Sequence, residues 1–185
     1  MAQKHCGTVL CPPTGGWAFA PIRQLAEGKS FAPKGKTPVL KKTGNRFYLN
    51  EISAISNQGH LVFMVVDSNF NGVVFIRFLN QLIKSFSKKV FLIADSHPVH
   101  LGKKGSDWLL EHSQEIEMFP LPGYSPELNP VEYFNQDLKT NVAGKARPTD
   151  EQELKKVVET FSKRKKKNSG QVKKYFQDNV VRYAS

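Results

Sequence analysis

The run Lys89 to Asp95, KVFLIAD, constrains the fold more than any other part of this chain. Its apolar residues follow one another without alternation, which is the pattern of a strand buried on both faces, as in a sheet covered by helices. What precedes it fits that reading. Arg46 to Ser56 (RFYLNEISAIS) and His60 to Asp67 (HLVFMVVD) are β-prone runs joined by Asn57-Gln58-Gly59, a hairpin loop. Phe75, Phe78, Leu79, Leu82, Ile83 and Phe86 then recur at three- and four-residue spacing, the signature of an amphipathic helix.

Beyond Asp95 the spacing predicts a short helix around Ser106 to His112, with Trp108 and Leu109 as its apolar contacts. A last strand follows over Glu115 to Phe119, and then helices near Pro130 to Val142, Thr149 to Phe161 and Ser169 to Asp178. A hairpin followed by strand–helix alternation argues for an α/β fold, a mixed sheet flanked by helices. Residues 1 to about 30 are rich in Gly and Pro without periodicity and read as an irregular segment. The remaining length, about residues 31 to 185, suits one domain with a real core.

Several classes fall away. No apolar run approaches the roughly 18 residues of a membrane span, so no membrane partner is expected. No signal-peptide stretch follows Lys4. Cys6 and Cys11 have only His5 as a further nearby ligand, too few for a zinc site, and read as free thiols in a reducing cytoplasm. The net charge of +11 favours a polyanionic partner, because neutralising phosphates releases condensed counterions.

Asp95 stands at the C-terminal end of the buried strand, where open α/β sheets place ligand-binding groups. It reads either as a metal ligand on a rigid element or as an ordinary strand-ending aspartate opening the Ser96-His97-Pro98 turn. The second constellation is Leu121 to Glu132, LPGYSPELNPVE, a proline-rich loop running into a helix. Asn129 is its N-cap and Pro130 its first helical residue. Glu132, three residues after the cap, either reaches back to the cap N–H or projects toward a cleft.

These two segments carry a resemblance. ADSHPVH, some thirty residues before YSPELNPVE, closely resembles the second and third acidic positions of mariner-type insertion-sequence transposases of the DDE superfamily. The similarity extends through FAPKGKTPVLKKTGNRFYLNEISAIS and the final helices, about residues 30 to 185. It implies an RNase H-like fold with a mixed five-stranded sheet. It also implies two-metal chemistry on the phosphodiester bonds of transposon DNA, with Mg²⁺ or Mn²⁺ as cofactor and Asp95 and Glu132 as catalytic metal ligands. Hard cations of this kind choose oxygen ligands and need no cysteine. Glu127 reads as solvent-facing.

Further residues follow from the same frame. Asp95, His97 and His100 could be taken as a small zinc cluster, but the two histidines more readily shape the cleft or contact DNA. Tyr124 either packs on its loop or stacks on a base. Lys163, Arg164, Lys165, Lys166 and Lys167 are a solvated helix face or, beside a DNA-processing core, a phosphate-contacting patch; Lys34, Lys36, Lys41, Lys42 and Arg46 form a second patch. The implied partners are DNA (transposon ends and target) and a second copy or an intact transposase. The implied location is the bacterial cytoplasm, on the nucleoid.

The sequence departs from the family in one respect that matters chemically. No aspartate occurs between Met1 and Val66, whereas the family places its first catalytic Asp on a strand before the hairpin. Asp67 ends the second hairpin strand, a place the family does not use. The fold is therefore expected to be N-terminally incomplete. Without the ligand that bridges two ions, the chain alone is expected to bind DNA and one loosely held cation without performing strand transfer. Helix-turn-helix modules are also missing, so sequence-specific targeting should be weak. Three readings stay open: a truncated or split transposase domain, a non-catalytic DNA-binding or dimerising fragment, and a nonfunctional remnant.

Overall fold

The computed structural model describes residues 49–67, 69–95, 98–122, 125–142 and 148–184. The irregular reading of residues 1 to 30 and the patch Lys34, Lys36, Lys41, Lys42 and Arg46 lie outside them. The elements follow in the order β1 (Asn50–Ile55), β2 (Leu61–Val66), α1 (Gly72–Lys84), β3 (Val90–Ala94), α2 (Lys103–Glu111), β4 (Ile116–Pro120), α3 (Val131–Lys139), α4 (Glu151–Lys167) and α5 (Ser169–Lys174). No helix among the described residues is long and apolar enough to cross a membrane.

β1 and β2 form the hairpin, in antiparallel register from Asn50 opposite Val66 to Ile55 opposite Leu61. Its loop turns at Gly59, whose φ of +90° is a left-handed conformation that glycine adopts without steric strain. A Cβ there would also lie 2.6 Å from the backbone oxygen of Ser169, so the loop is fitted against the start of α5. Because side chains alternate across a strand, the hairpin serves two cores. Ile52, Ala54, Val62 and Val66 pack with α1 residues Phe75, Phe78, Leu79 and Leu82. Leu49, Ile55 and Leu61 pack on the opposite face with Val131, Phe134 and Leu138 of α3 and Leu154, Val158 and Phe161 of α4. Helices thus cover both faces, which is why β1 is buried from Glu51 through Ile55.

β3 pairs with β4 in parallel, Val90 opposite Ile116 through Ala94 opposite Pro120. Val90, Leu92, Ala94 and Ile116 join the same core as α1, so both strand pairs pack into one core while forming separate two-stranded sheets among the described residues. The mixed character expected from the sequence is present. The expected count of five strands is not met among the described residues, which hold four strands in two pairs.

The caps explain the boundaries. The Asn71 side chain accepts from the N–H groups of Val73 and Val74 (3.0 and 3.1 Å), starting α1 earlier than its apolar periodicity alone suggests. Asp150 accepts from Glu153 N–H (2.7 Å), while the Glu153 carboxylate accepts from the backbone N–H and hydroxyl of Thr149 (both 2.7 Å), a reciprocal cap that fixes the start of α4. α4 then runs past Phe161, where the sequence pattern stopped, to Lys167. Its buried stripe continues through Ser162 and Lys165, whose polar groups hid the periodicity.

Candidate active site

The parallel pairing of β3 and β4 opens both C-terminal ends at the same edge of the sheet. Leu121 N–H donates to Ala94 O (2.7 Å), so the residue after β3 and the loop after β4 leave side by side. The residue after β3 is Asp95, half-exposed at 41 %. The loop after β4 leads through a 3-10 turn over Pro126–Leu128 into α3. Asn129 is buried, and its Oδ1 accepts from Val131 N–H (3.0 Å) while its backbone oxygen accepts from Glu132 N–H (3.0 Å). Asn129 therefore caps this helix, as its position before Pro-Val-Glu predicts.

Glu132 sits in the first turn of α3. Burial raises the pKa of its carboxyl above the usual range. The Asn135 amide and the Lys139 ammonium pull it down, and the negative charge of Asp95 pushes it up again. Asn135 acts by proximity here, for its Nδ2 makes no hydrogen bond of ordinary geometry. The carboxyl is thus influenced by groups one and two turns along its own helix and by Asp95. The Asp95 charge reaches Glu132 as the smallest of the four influences on that carboxyl.

The other sequence-derived residues divide. His100 is fully buried, with Nδ1 2.8 Å from Asp95 Oδ1 and 3.0 Å from the Asp95 backbone oxygen. That placement keeps its side chain away from the surface, unlike the DNA contact expected of it. His97 and Tyr124 lie outside the described residues, as do His5, Cys6 and Cys11. Among the described residues no group of three or more His, Cys, Asp or Glu is placed to hold a metal ion; the zinc alternative includes His97 and so lies outside them. Glu127 is exposed, as read.

Lys163, Arg164, Lys166 and Lys167 are exposed on α4. Lys163 pairs with Glu159 one turn back (2.8 Å). Lys165 departs from the expected patch. It is 8 % exposed, forms an ion pair with Asp137 of α3, and lies over the rings of Phe161 and Tyr175 (5.2 and 5.8 Å). Its place in the apolar stripe of α4 turns it inward, so it cannot serve the surface. The sequence reasoning also passed over Glu51, which is buried in β1 with one carboxyl oxygen accepting from the Ser162 hydroxyl (2.8 Å). A glutamate two residues after Leu49 and four before Ile55, on the same alternating face of the run FYLNEISAIS, was the available signal.

A family model described as "DDE superfamily endonuclease" matches residues 22–155. The chain belongs to this family. The matched range includes both acidic segments, the one around Asp95 and the one around Glu132. Solved structures of Mos1 share the fold at low sequence identity. The pre-cleavage Mos1 transpososome superimposes with a TM-score of 0.63 at 15% identity, covering 96% of this chain and 57% of that one. The Mos1 strand transfer complex gives 0.59 at 16%, covering 93% and 54%. The catalytic domain of Mos1 mariner transposase alone gives 0.57 at 11%, covering 96% and 84%. The DDE chain thus has the RNase H-like fold of the Mos1 catalytic domain and spans about half the length of the chain in the strand transfer complex, 54%. Among curated proteins, no sequence matches it.

Proposed function

We propose that this chain is the catalytic-core part of a DDE-type DNA transposase, with Asp95 and Glu132 holding a divalent cation against a DNA phosphate. What supports the reading is the placement of the two residues: Asp95 follows β3 beside the loop that leaves β4, and that loop leads into α3, whose first turn holds Glu132. An all-oxygen pair suits Mg²⁺ or Mn²⁺, which keep several waters and bind through one or two carboxylates plus phosphate oxygens. When bound, such an ion supplies Lewis-acid stabilisation at the phosphate. The Mos1 catalytic domain has been solved with Mn and with Mg. The chain contributes the rest: β3 and the capped start of α3 fix the two carboxylates on rigid elements, which lowers the entropy lost on ligation.

DNA is the proposed partner, through Lys163, Arg164, Lys166 and Lys167 and the sequence patch at Lys34, Lys36, Lys41, Lys42 and Arg46, with His97 and Tyr124 as further candidates from the sequence. Replacing the four exposed α4 residues by alanine is expected to lower the slope of log affinity against log salt by about 3. An unchanged slope on a duplex would remove that patch.

A second reading, a non-catalytic fragment that binds DNA or dimerises with an intact transposase, is favoured by the absence of aspartate between Met1 and Val66. Two ions in a two-metal site sit about 3.5–4 Å apart and need a carboxylate to bridge them. Calorimetric titration with Mn²⁺ separates the readings. One weakly bound ion, lost by about 100-fold or more in Asp95→Ala and Glu132→Gln, is expected. Two ions that depend on Asp95 would reveal a third ligand and restore full catalysis. Binding indifferent to both substitutions would sink the site.

A further inference from the structure

We propose that His100 is a positioning residue: its imidazole Nδ1–H fixes the plane of the Asp95 carboxylate. The proposal rests on the reading of Asp95 as a metal ligand and adds to it how that ligand is held.

The geometry is specific. Nδ1 lies within hydrogen-bond distance of two oxygens of one residue, the Asp95 carboxylate Oδ1 (2.8 Å) and its backbone oxygen (3.0 Å). Both are acceptors, so Nδ1 carries the proton and donates to them. A carboxylate at a strand end otherwise rotates about its terminal torsion with little restraint. Here one donor ties side chain and main chain together and sets that rotation.

The donor is itself held. The His100 ring is fully buried although Asp95 is half-exposed, so it approaches the carboxylate from the protein side. Phe70 meets the ring edge-on, with centroids 5.7 Å apart and planes at 84°, and Phe75 lies against it at 4.8 Å and 36°. Phe75 is fixed in turn by the core of α1 and by α2, which comes close because residue 105 is glycine. A Cβ there would lie 3.2 Å from the Phe75 ring and 3.5 Å from the His100 backbone oxygen. The chain of contacts Gly105, Phe75, His100, Asp95 therefore runs from a packed helix to the carboxylate. Hydrogen-bonding partners of metal-ligating groups commonly set affinity by about 10–100-fold through such orientation.

The test is Mn²⁺ binding to the full chain, read by calorimetry and by the electron paramagnetic resonance spectrum of the bound ion. His100→Leu is expected to weaken binding by about 10–100-fold. His100→Asn, whose side-chain amide N–H takes the place of Nδ1–H, is expected to recover most of that loss, although both variants lose the aromatic packing and melt earlier. Equal binding by His100→Leu and wild type overturns the proposal, and so does a His100→Asn chain as weak as His100→Leu. An Asp95→Ala chain that binds Mn²⁺ as wild type does overturns instead the metal reading underneath. Nitrogen-15 NMR of the wild-type chain needs no variant to fold. A slowly exchanging Nδ1-bound proton on His100 is expected, and the Nε2–H tautomer overturns the proposal.

Discussion

Replacing Glu51 with glutamine is expected to stabilise the fold by about 2–4 kcal/mol at pH 8 and by little near pH 5. Glu51 is 3 % exposed in β1, on the strand face that meets α4. Its only hydrogen bond among the described residues is from the Ser162 hydroxyl to Oε1, and Oε2 is buried without a partner. Burial of the charged form pushes the carboxyl from 4.5 up to about 8, partly opposed by the Ser162 bond. Between those two values the unfolded chain has released this proton and the folded chain has kept it. The folded state then binds more protons, so stability falls as pH rises through that window and the whole loss is present above pH 8. Glutamine keeps the acceptor for Ser162 and has no charge to bury. Urea unfolding of both chains at the two pH values reads the effect directly. A stability difference equal at both would mean that Glu51 is ionised in the native state.

The same residue connects stability to the proposed DNA surface. Ser162 lies between Lys163 and the inward-facing Phe161, so ionisation of Glu51 acts on the helix that displays Lys163, Arg164, Lys166 and Lys167. A buried carboxyl that loses its proton must draw in water or move away from the apolar face of the hairpin. Loosening is expected to begin there rather than in the layer around Phe75 and Phe78, which holds no buried acid among the described residues.

The legible parts of this fold were those in which one periodicity acted alone. KVFLIAD reads as a buried strand because five apolar residues follow one another, and the structure gives Val90–Ala94. Asn129-Pro130 reads as a helix start because cap chemistry is local, and Asn129 does cap α3. Asp95 and Glu132 as one site is an expectation of the resemblance alone, since spacing left each with a structural alternative. Residues that obey two rules at once were not legible. Lys165 belongs by charge to KRKKK and by helical phase to the stripe Leu154, Val158, Phe161, and phase wins because a partner carboxylate waits inside. His100 belongs to a motif read as cleft-lining or DNA-contacting, and only the packing of Phe70 and Phe75 shows its side chain wholly inside. Glu51 sits on the core-facing side of a strand whose burial comes from helices about a hundred residues away in sequence.

Asp137→Ala is expected to destabilise the chain by about 3–5 kcal/mol, far more than Lys165→Met. Asp137 of α3 gathers three donors. Its Oδ2 forms the ion pair with Lys165 and accepts from the Tyr175 hydroxyl (2.6 Å), and its Oδ1 accepts from Asn141 (2.7 Å). Burial and this acidic neighbour push the Tyr175 hydroxyl well above its usual pKa, so it stays a donor throughout the accessible pH range. Removing the carboxylate strands an ammonium group among Phe161 and Tyr175 and leaves the tyrosine hydroxyl without its acceptor. Removing the lysine leaves Asp137 with two neutral donors, and methionine fills the same apolar slot. In the double variant Asp137→Ala/Lys165→Met no buried charge remains, so it should be more stable than Asp137→Ala alone. Thermal unfolding of the four chains gives that coupling, and strictly additive losses would show that the pair is not a unit. The consequence reaches the site. α3 carries Glu132 about one and a half turns before Asp137, and its far end is tied to α4 and α5 through this carboxylate and the apolar contacts of Phe134 and Leu138. Asp137→Ala should therefore also weaken Mn²⁺ binding under conditions where the chain is still folded, because the helix start that presents Glu132 is no longer held from behind.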